Sequence, residues 1–174
     1  EDQTRGADVL VYSAAVPPSN PERQAAAAAG VRQLRRAEVL GLLSRKLDTV
    51  AVAGTHGKTT TASLVANALH AVGRDPTVVV GGWVEGRTQS VHGAEPLMVV
   101  EADEYDRSFL ELESWLAVVT NIEAEHVDCY EDEAQLVEAF VSFLRQTRID
   151  GCIVLNGDDP LCREVAERIA DLPG

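Results

Sequence analysis

Gly54-Thr55-His56-Gly57-Lys58-Thr59-Thr60-Thr61 is the stretch around which the rest of the chain organises. It stands between Thr49 to Ala53, an apolar run of strand length, and Thr59 to Val72, a helix-length segment closed by Gly73. A bound phosphate needs several N–H donors at one point and a close backbone approach. Glycines permit both, and the helix N-terminus behind them adds its dipole. Lys58 offers a point charge to β- and γ-phosphates, and Thr59 a hydroxyl to magnesium. The loop is shorter than the common phosphate-loop pattern. The first glycine of G-x-x-x-x-G-K-T would fall at Val52, and Gly54 comes two residues later.

The same rhythm continues downstream. Thr77 to Val80, Leu97 to Val100, Leu116 to Thr120 and Cys152 to Leu155 read as short buried strands. A helix over about Glu133 to Gln146 precedes the last of them, and the turn Asn156-Gly157-Asp158-Asp159 opens a final helix. In the helix after the glycine loop, Leu64, Val65, Ala68 and Leu69 are expected to face inward. Four- and five-residue apolar strands alternating with helices imply an α/β fold, a mostly parallel sheet with helices on both faces. Upstream, Val9 to Tyr12 and Val31 to Leu34 read as strands. Asn20-Pro21-Glu22 gives an N-cap, a proline at the first helical position and an early acid, and Gly30 stops the alanine-rich helix. A helix over Ala37 to Lys46 follows, with Val39, Leu40 and Leu43 on one face. This β-α-β-α segment predicts the tail of a partial Rossmann-like domain, residues 1–46, ahead of a central domain at 47–174.

Composition narrows the functional classes. With 15 Lys and Arg against 28 Asp and Glu, the net charge is −13. Such a chain lacks the basic patch that nucleic-acid binding demands, so an anionic nucleotide has to be held by local devices: backbone N–H groups, one lysine and metal ions. No apolar run reaches the length of a membrane span. Cys129, Cys152 and Cys162 show no metal-ligand spacing and read as free thiols of a cytoplasmic protein. Cys129 has nothing beside it that would activate a nucleophile. The first residues lead straight into an apolar run without a methionine, as expected of a piece of something longer.

Two further constellations follow strands. Glu101, Asp103, Glu104 and Asp106 gather four carboxylates in six residues, which is unfavourable unless cations or water compensate them. All strand C-termini of a parallel sheet open on one edge, so Glu101 shares a crevice with the glycine loop. A carboxylate there, across from Thr59, suits a magnesium ion between phosphates. Glu104 and Asp106 read as a solvated acidic turn. Asn121-Ile122-Glu123-Ala124-Glu125-His126-Val127-Asp128 follows another strand onto the same edge, with His126 able to ligate a second metal or meet phosphate, and Asp128 to orient its ring.

In these three places the chain resembles the Mur ligases. Gly54 to Thr60 looks like their G-T-H-G-K-T-T, Glu101 to Leu110 is similar to their E-A-D-E-x-D-x-S-F-L, and Thr120 to Tyr130 to their T-N-I-x-x-x-H-x-D-x-Y. Order and spacing agree over roughly residues 7 to 170. Histidine within the loop resembles the L-alanine-adding and the tripeptide-recycling members. Glu104-Tyr105 is reminiscent of the recycling member, whereas Arg107 to Leu110 and Asn121 to Tyr130 favour the L-alanine-adding one.

The resemblance implies an ATP- and Mg2+-dependent ligase that joins L-alanine to UDP-N-acetylmuramate through an acyl phosphate, in peptidoglycan synthesis. It implies that Gly54, Thr55, His56, Gly57, Lys58, Thr59 and Thr60 hold the nucleotide, and that Thr59, Glu101 and His126 bind metal. Lys58, Glu101 and His126 would carry the catalysis, with Ser13, Asp103 and Asn121 on the substrate side. It further implies a missing UDP-binding turn upstream and a missing C-terminal domain, so that the chain alone binds nucleotide weakly and completes no turnover. The carbamylated lysine used by several members has no counterpart, because Lys46 and Lys58 are the only lysines. Asn156 to Asp159 lies near the nucleotide or simply caps a helix.

Overall fold

The computed structural model describes residues 6–81, 90–123 and 129–172. Two sheets are present among them. The smaller pairs β1 (Val9–Tyr12) in parallel with β2 (Arg32–Arg35). Between them lies α1 (Pro21–Ala28), started as expected by Asn20, whose side chain accepts the N–H groups of Glu22 and Arg23. The larger sheet contains β3 (Asp48–Ala53), β4 (Thr77–Val79), β5 (Ser90–Val91), β6 (Leu97–Glu101), β7 (Ser114–Val119) and β8 (Thr147–Leu155), in the order β5-β4-β6-β3-β7-β8. Every pairing in it is parallel except β4 with the edge strand β5. The mostly parallel α/β sheet read from the strand pattern is therefore the observed one.

Alternation along the central strands builds two cores. Val50, Val52 and Val99 turn to one face and pack with Ala62 and Ala66 of α3 (Lys58–Ala71). Ala51, Ala53, Met98, Val100, Ala117 and Val119 turn to the other, against α4 (Glu133–Leu144) and α5 (Pro160–Arg168). A strand buried on both faces needs this continuous apolar run. The second face also receives Phe109, fully buried, at 5.2 Å from the Phe140 ring and 5.0 Å from Phe143. Phe109 anchors a 3-10 segment, Tyr105–Glu111, that the strand-and-helix pattern did not announce.

Three expectations need correction. Leu64 is 63% exposed and Ala68 is exposed too; the inward face of α3 carries Ala62 and Ala66, with Val65 and Leu69 partly buried. The apolar letters fit two helical phases, and only the sheet decides between them. Leu43 is 42% exposed, while Gly41 and Ser44 of α2 (Arg36–Ser44) are buried. Gly41 is there because α2 lies directly on the 3-10 segment: a Cβ at that position would sit 2.3 Å from the Glu111 carbonyl oxygen. Strand β8 begins five residues earlier than the apolar run suggested, since its polar first half still pairs with β7 across a register shift between Ser114 and Leu116.

The parallel arrangement sends the C-terminal ends of β3, β4, β6 and β7 to one rim. Gly54, Gly81, Glu101 and Asn121 all stand on that rim. No helix of the described residues is long and apolar enough to cross a membrane.

Candidate functional site

Strand β3 ends at Ala53, and the chain turns at once through Gly54, whose φ of 127° excludes other residues. Gly57, at φ 80°, forms the left-handed N-cap of α3. The helical ladder begins where Thr61 N–H donates to the Gly57 carbonyl at 2.9 Å. The N–H groups of Lys58, Thr59 and Thr60 thus precede the first intrahelical bond and face outward from the helix end. They give the helix terminus its anion-attracting character.

The loop is held from β7. Thr55 N–H donates to the Asn121 carbonyl (3.0 Å), and the Thr55 hydroxyl accepts from Glu123 N–H (2.8 Å). His56 N–H donates to Asn121 Oδ1 (2.8 Å), and Asn121 Nδ2 donates back to the His56 carbonyl (3.0 Å). The Thr120 hydroxyl reaches the same carbonyl at 2.6 Å. Asn156 Nδ2 in turn donates to the Thr120 carbonyl at 3.0 Å. Asp159 caps α5 by accepting from Cys162 N–H (2.8 Å) and also takes Ile122 N–H (3.3 Å). The turn at residues 156–159 is therefore both a helix cap and a support for the segment that braces the loop.

Across the sheet, the Thr59 hydroxyl lies 2.9 Å and 3.1 Å from the two carboxylate oxygens of Glu101. Glu101 Oε2 also accepts from Gly81 N–H at 2.5 Å. The hydroxyl of α3 and the carboxylate of β6 thus meet, as expected from the sheet alone. Lys58 Nζ curls back over the loop, donating to the carbonyls of Gly54 (2.7 Å) and Thr55 (3.1 Å) and to Glu104 Oε2 (2.8 Å). Asp103 Oδ1 is 3.9 Å from the same ammonium. His56 Nε2 stands 3.6 Å from Glu123 Oε2 on the exposed side.

Glu104 corrects the sequence reading. It is fully buried against Lys58, not solvated, although Asp106 is exposed as expected. Its burial arises from a reversal in the chain: Asp106 and Arg107 both take φ near 54°, a left-handed pair of non-glycine residues. The Asp103 carbonyl receives Phe109 N–H and the Ser108 hydroxyl, and the Glu104 carbonyl receives Arg107 N–H and the Tyr130 hydroxyl at 2.7 Å. Burial pushes the Tyr130 phenol up to about 12, so it remains a neutral donor at any physiological pH.

Ser13, Glu101 and Asp103 line one cavity of about 220 Å³, with Arg35, Arg36 and Tyr105 among the other walls. Asn121, expected toward substrate, directs both ends of its amide to the loop. His126 and Asp128 lie outside the described residues. The support given by Thr120 and Asn156 was not foreseen. Polar residues just past a strand end were its only trace in the sequence.

Fold and site together define an α/β domain with a glycine loop at the carboxyl rim of a parallel sheet. The chain belongs to the Mur ligase family, whose middle domain it matches over residues 52–172. It is 48% identical over 169 residues to the UDP-N-acetylmuramate–L-alanine ligase of Sorangium cellulosum, a match spanning 97% of this chain and 36% of that protein. Its identity to the ligase of the same name from Symbiobacterium thermophilum is 47%, spanning 97% of this chain and 35% of that one. The chain therefore spans about a third of the length of the curated relatives it matches. Among solved structures, the UDP-N-acetylmuramate-alanine ligase of Thermotoga maritima superposes with a TM-score of 0.79 at 30% identity, over 91% of this chain and 37% of that one. The UDP-N-acetylmuramate:L-alanyl-gamma-D-glutamyl-meso-diaminopimelate ligase of Neisseria meningitides gives 0.80 at 27%, over 93% and 56%.

Proposed function

We propose that this chain is the ATP-binding portion of a ligase that joins L-alanine to UDP-N-acetylmuramate in the cytoplasm, as a step of peptidoglycan synthesis. The observation that carries the reading is the meeting of the Thr59 hydroxyl with the Glu101 carboxylate, one residue from Lys58 and at the open end of α3. The name shared by the curated relatives favours L-alanine over a preformed tripeptide as the incoming amine.

In this reading residues 1–46 close the UDP-substrate side, with Ser13 toward the substrate, and residues 47–174 bind the nucleotide. The γ-phosphoryl group leaves ATP for a carboxylate oxygen of UDP-N-acetylmuramate, giving ADP and an acyl phosphate. The amine of L-alanine attacks the acyl carbon, and the tetrahedral intermediate collapses to the amide and inorganic phosphate. Backbone N–H groups of the loop cradle the phosphates, and Lys58 neutralises the phosphoryl group in transfer. Asp103 borders the acceptor on the cavity side, and Asn121 keeps the loop in shape.

The donors at the rim suit magnesium, because a hydroxyl and a carboxylate are hard oxygen ligands. Among the described residues no three His, Cys, Asp or Glu side chains are grouped so that they could hold a metal ion by themselves. Thr59 and Glu101 would hold the ion, with Glu101 and His126 sharing a second. When bound, magnesium would neutralise charge developing on the phosphates.

The test is calorimetric titration of the chain with ATP, with and without magnesium. Binding that requires magnesium, and that Thr59→Val or Glu101→Gln weakens at least tenfold, is the expected result. Magnesium-independent binding, or none, overturns the reading. Placed in the corresponding third of the Sorangium cellulosum ligase, the chain should support phosphate release that depends on both substrates. Lys58→Ala there should lower turnover by about 10²–10³ or more.

A further inference from the structure

A lysine that serves a moving phosphoryl group has a flexible four-carbon stem and three equivalent donors, so something must fix its head. Two of the acceptors around Lys58 belong to its own loop, the Gly54 and Thr55 carbonyls. The third is Glu104, on another strand's end, with its carboxylate 2.8 Å from Nζ and fully withdrawn from solvent. A buried carboxylate in contact with an ammonium that is itself only 12% exposed is expensive to desolvate, and is retained only where its geometry is enforced.

The enforcement is visible. The chain reverses just after Glu104 through Asp106 and Arg107, both left-handed, which is unfavourable for residues with a Cβ. The reversal is pinned at the Glu104 carbonyl by Arg107 N–H and the Tyr130 hydroxyl, and at its far end by Phe109 between two phenylalanines. The Arg107 guanidinium lies 5.3 Å over the Tyr130 ring and donates to Gln135, tying the turn to α4.

We propose that Glu104 is the positioning residue for Lys58: its charge, aimed by the Tyr130-pinned reversal, keeps the ammonium over the glycine loop where phosphates are received. This rests on the nucleotide-binding reading above and deepens it. A comparable division of labour exists in protein kinases, where a lysine must be ion-paired to a glutamate before it meets phosphate usefully.

The chain itself provides the experiment, because its only two lysines are Lys58 and the exposed Lys46. Amine-directed labelling followed by mass spectrometry gives the rate at Lys58 relative to Lys46, and calorimetry gives magnesium–ATP affinity, with circular dichroism confirming the fold of each variant. Glu104→Gln keeps the shape and removes the charge; Glu104→Asp keeps the charge and shortens the arm. The expected result is Lys58 labelled several-fold faster and ATP bound at least tenfold more weakly in Glu104→Gln, with Glu104→Asp within threefold of the parent on both measures. Tyr130→Phe, which touches only the carbonyl of Glu104, should move both measures in the direction of Glu104→Gln by a smaller factor. A Glu104→Gln chain identical to the parent, or one that outperforms Glu104→Asp, would mean that shape alone matters and would overturn the proposal. Failure of the parent to bind ATP would instead count against the proposed function, and the labelling ratio would still decide the role of Glu104.

Discussion

The side-chain amide of Asn121 is bonded at both ends to the main chain of His56, accepting its N–H at 2.8 Å and donating to its carbonyl at 3.0 Å. A side chain thereby imitates a strand partner for a single loop residue. The glycine loop is thus fixed from outside at the point where it would otherwise be free to choose among conformations.

Asn121→Asp replaces the donating end with an acceptor facing the His56 carbonyl. The loss should be about 1 kcal/mol of stability, seen as a melting temperature lower by roughly 2–4 °C. ATP affinity should fall with it. An unchanged melting curve and affinity would show that the loop holds its own shape.

The Lys58–Glu104 pair predicts non-additive stability. Lys58→Met alone leaves a carboxylate buried without its cation and should destabilise by roughly 3–5 kcal/mol. Adding Glu104→Met removes the stranded charge and should restore more than half of the loss in a urea titration, although ATP binding stays absent. Additive losses would indicate that the two side chains do not depend on each other energetically.

Gly54→Ala should be far worse than Gly157→Ala. At Gly54 a Cβ would lie 2.2 Å from the Thr120 hydroxyl oxygen, at a φ of 127°, whereas at Gly157 it would meet nothing within 4 Å. A loss of at least about 2 kcal/mol is expected for the first and less than about 0.5 kcal/mol for the second. Similar melting temperatures for the two variants would contradict the close packing of the loop on β7.

Alkaline stability should depend on Cys162. Burial, with Asp159 beside it, pushes its thiol up from 9.0 to about 12 in the folded chain. Above pH 9 the unfolded chain sheds a proton that the native chain retains. The stabilising contribution is therefore complete below about pH 9 and is lost progressively as pH rises toward 12. Cys162→Ala should flatten that decline while lowering stability near neutrality through lost packing. In the folded parent, a thiol reagent should modify the exposed Cys152 and spare Cys162. Equal pH profiles for parent and variant would remove Cys162 from the account.

The legible parts of the chain were those governed by neighbours in sequence. The glycine loop, the N-cap at Asn20 and the two-sided burial of β3 and β6 follow from a few consecutive residues, and the parallel sheet brings Thr59 to Glu101 without further assumptions. Glu104 was misread because its burial depends on a backbone reversal at Asp106 and Arg107, and neither residue type announces a positive φ. The bracing role of Asn121 is not legible, because nothing in its own segment reveals that the main chain of His56 lies opposite. Leu64 was misplaced because a helix rich in alanine offers more than one apolar stripe, and the sheet chooses the one with the smallest side chains.

The bonds from Thr120, Asn121 and Glu123 to Thr55 and His56 join positions more than sixty residues apart in the chain. A growing polypeptide released from the ribosome only as far as residue 110 already contains every letter of the glycine loop, yet lacks the struts that give those letters their contour. The segment that looks most self-sufficient on paper therefore takes its final shape only after more than sixty further residues have been made.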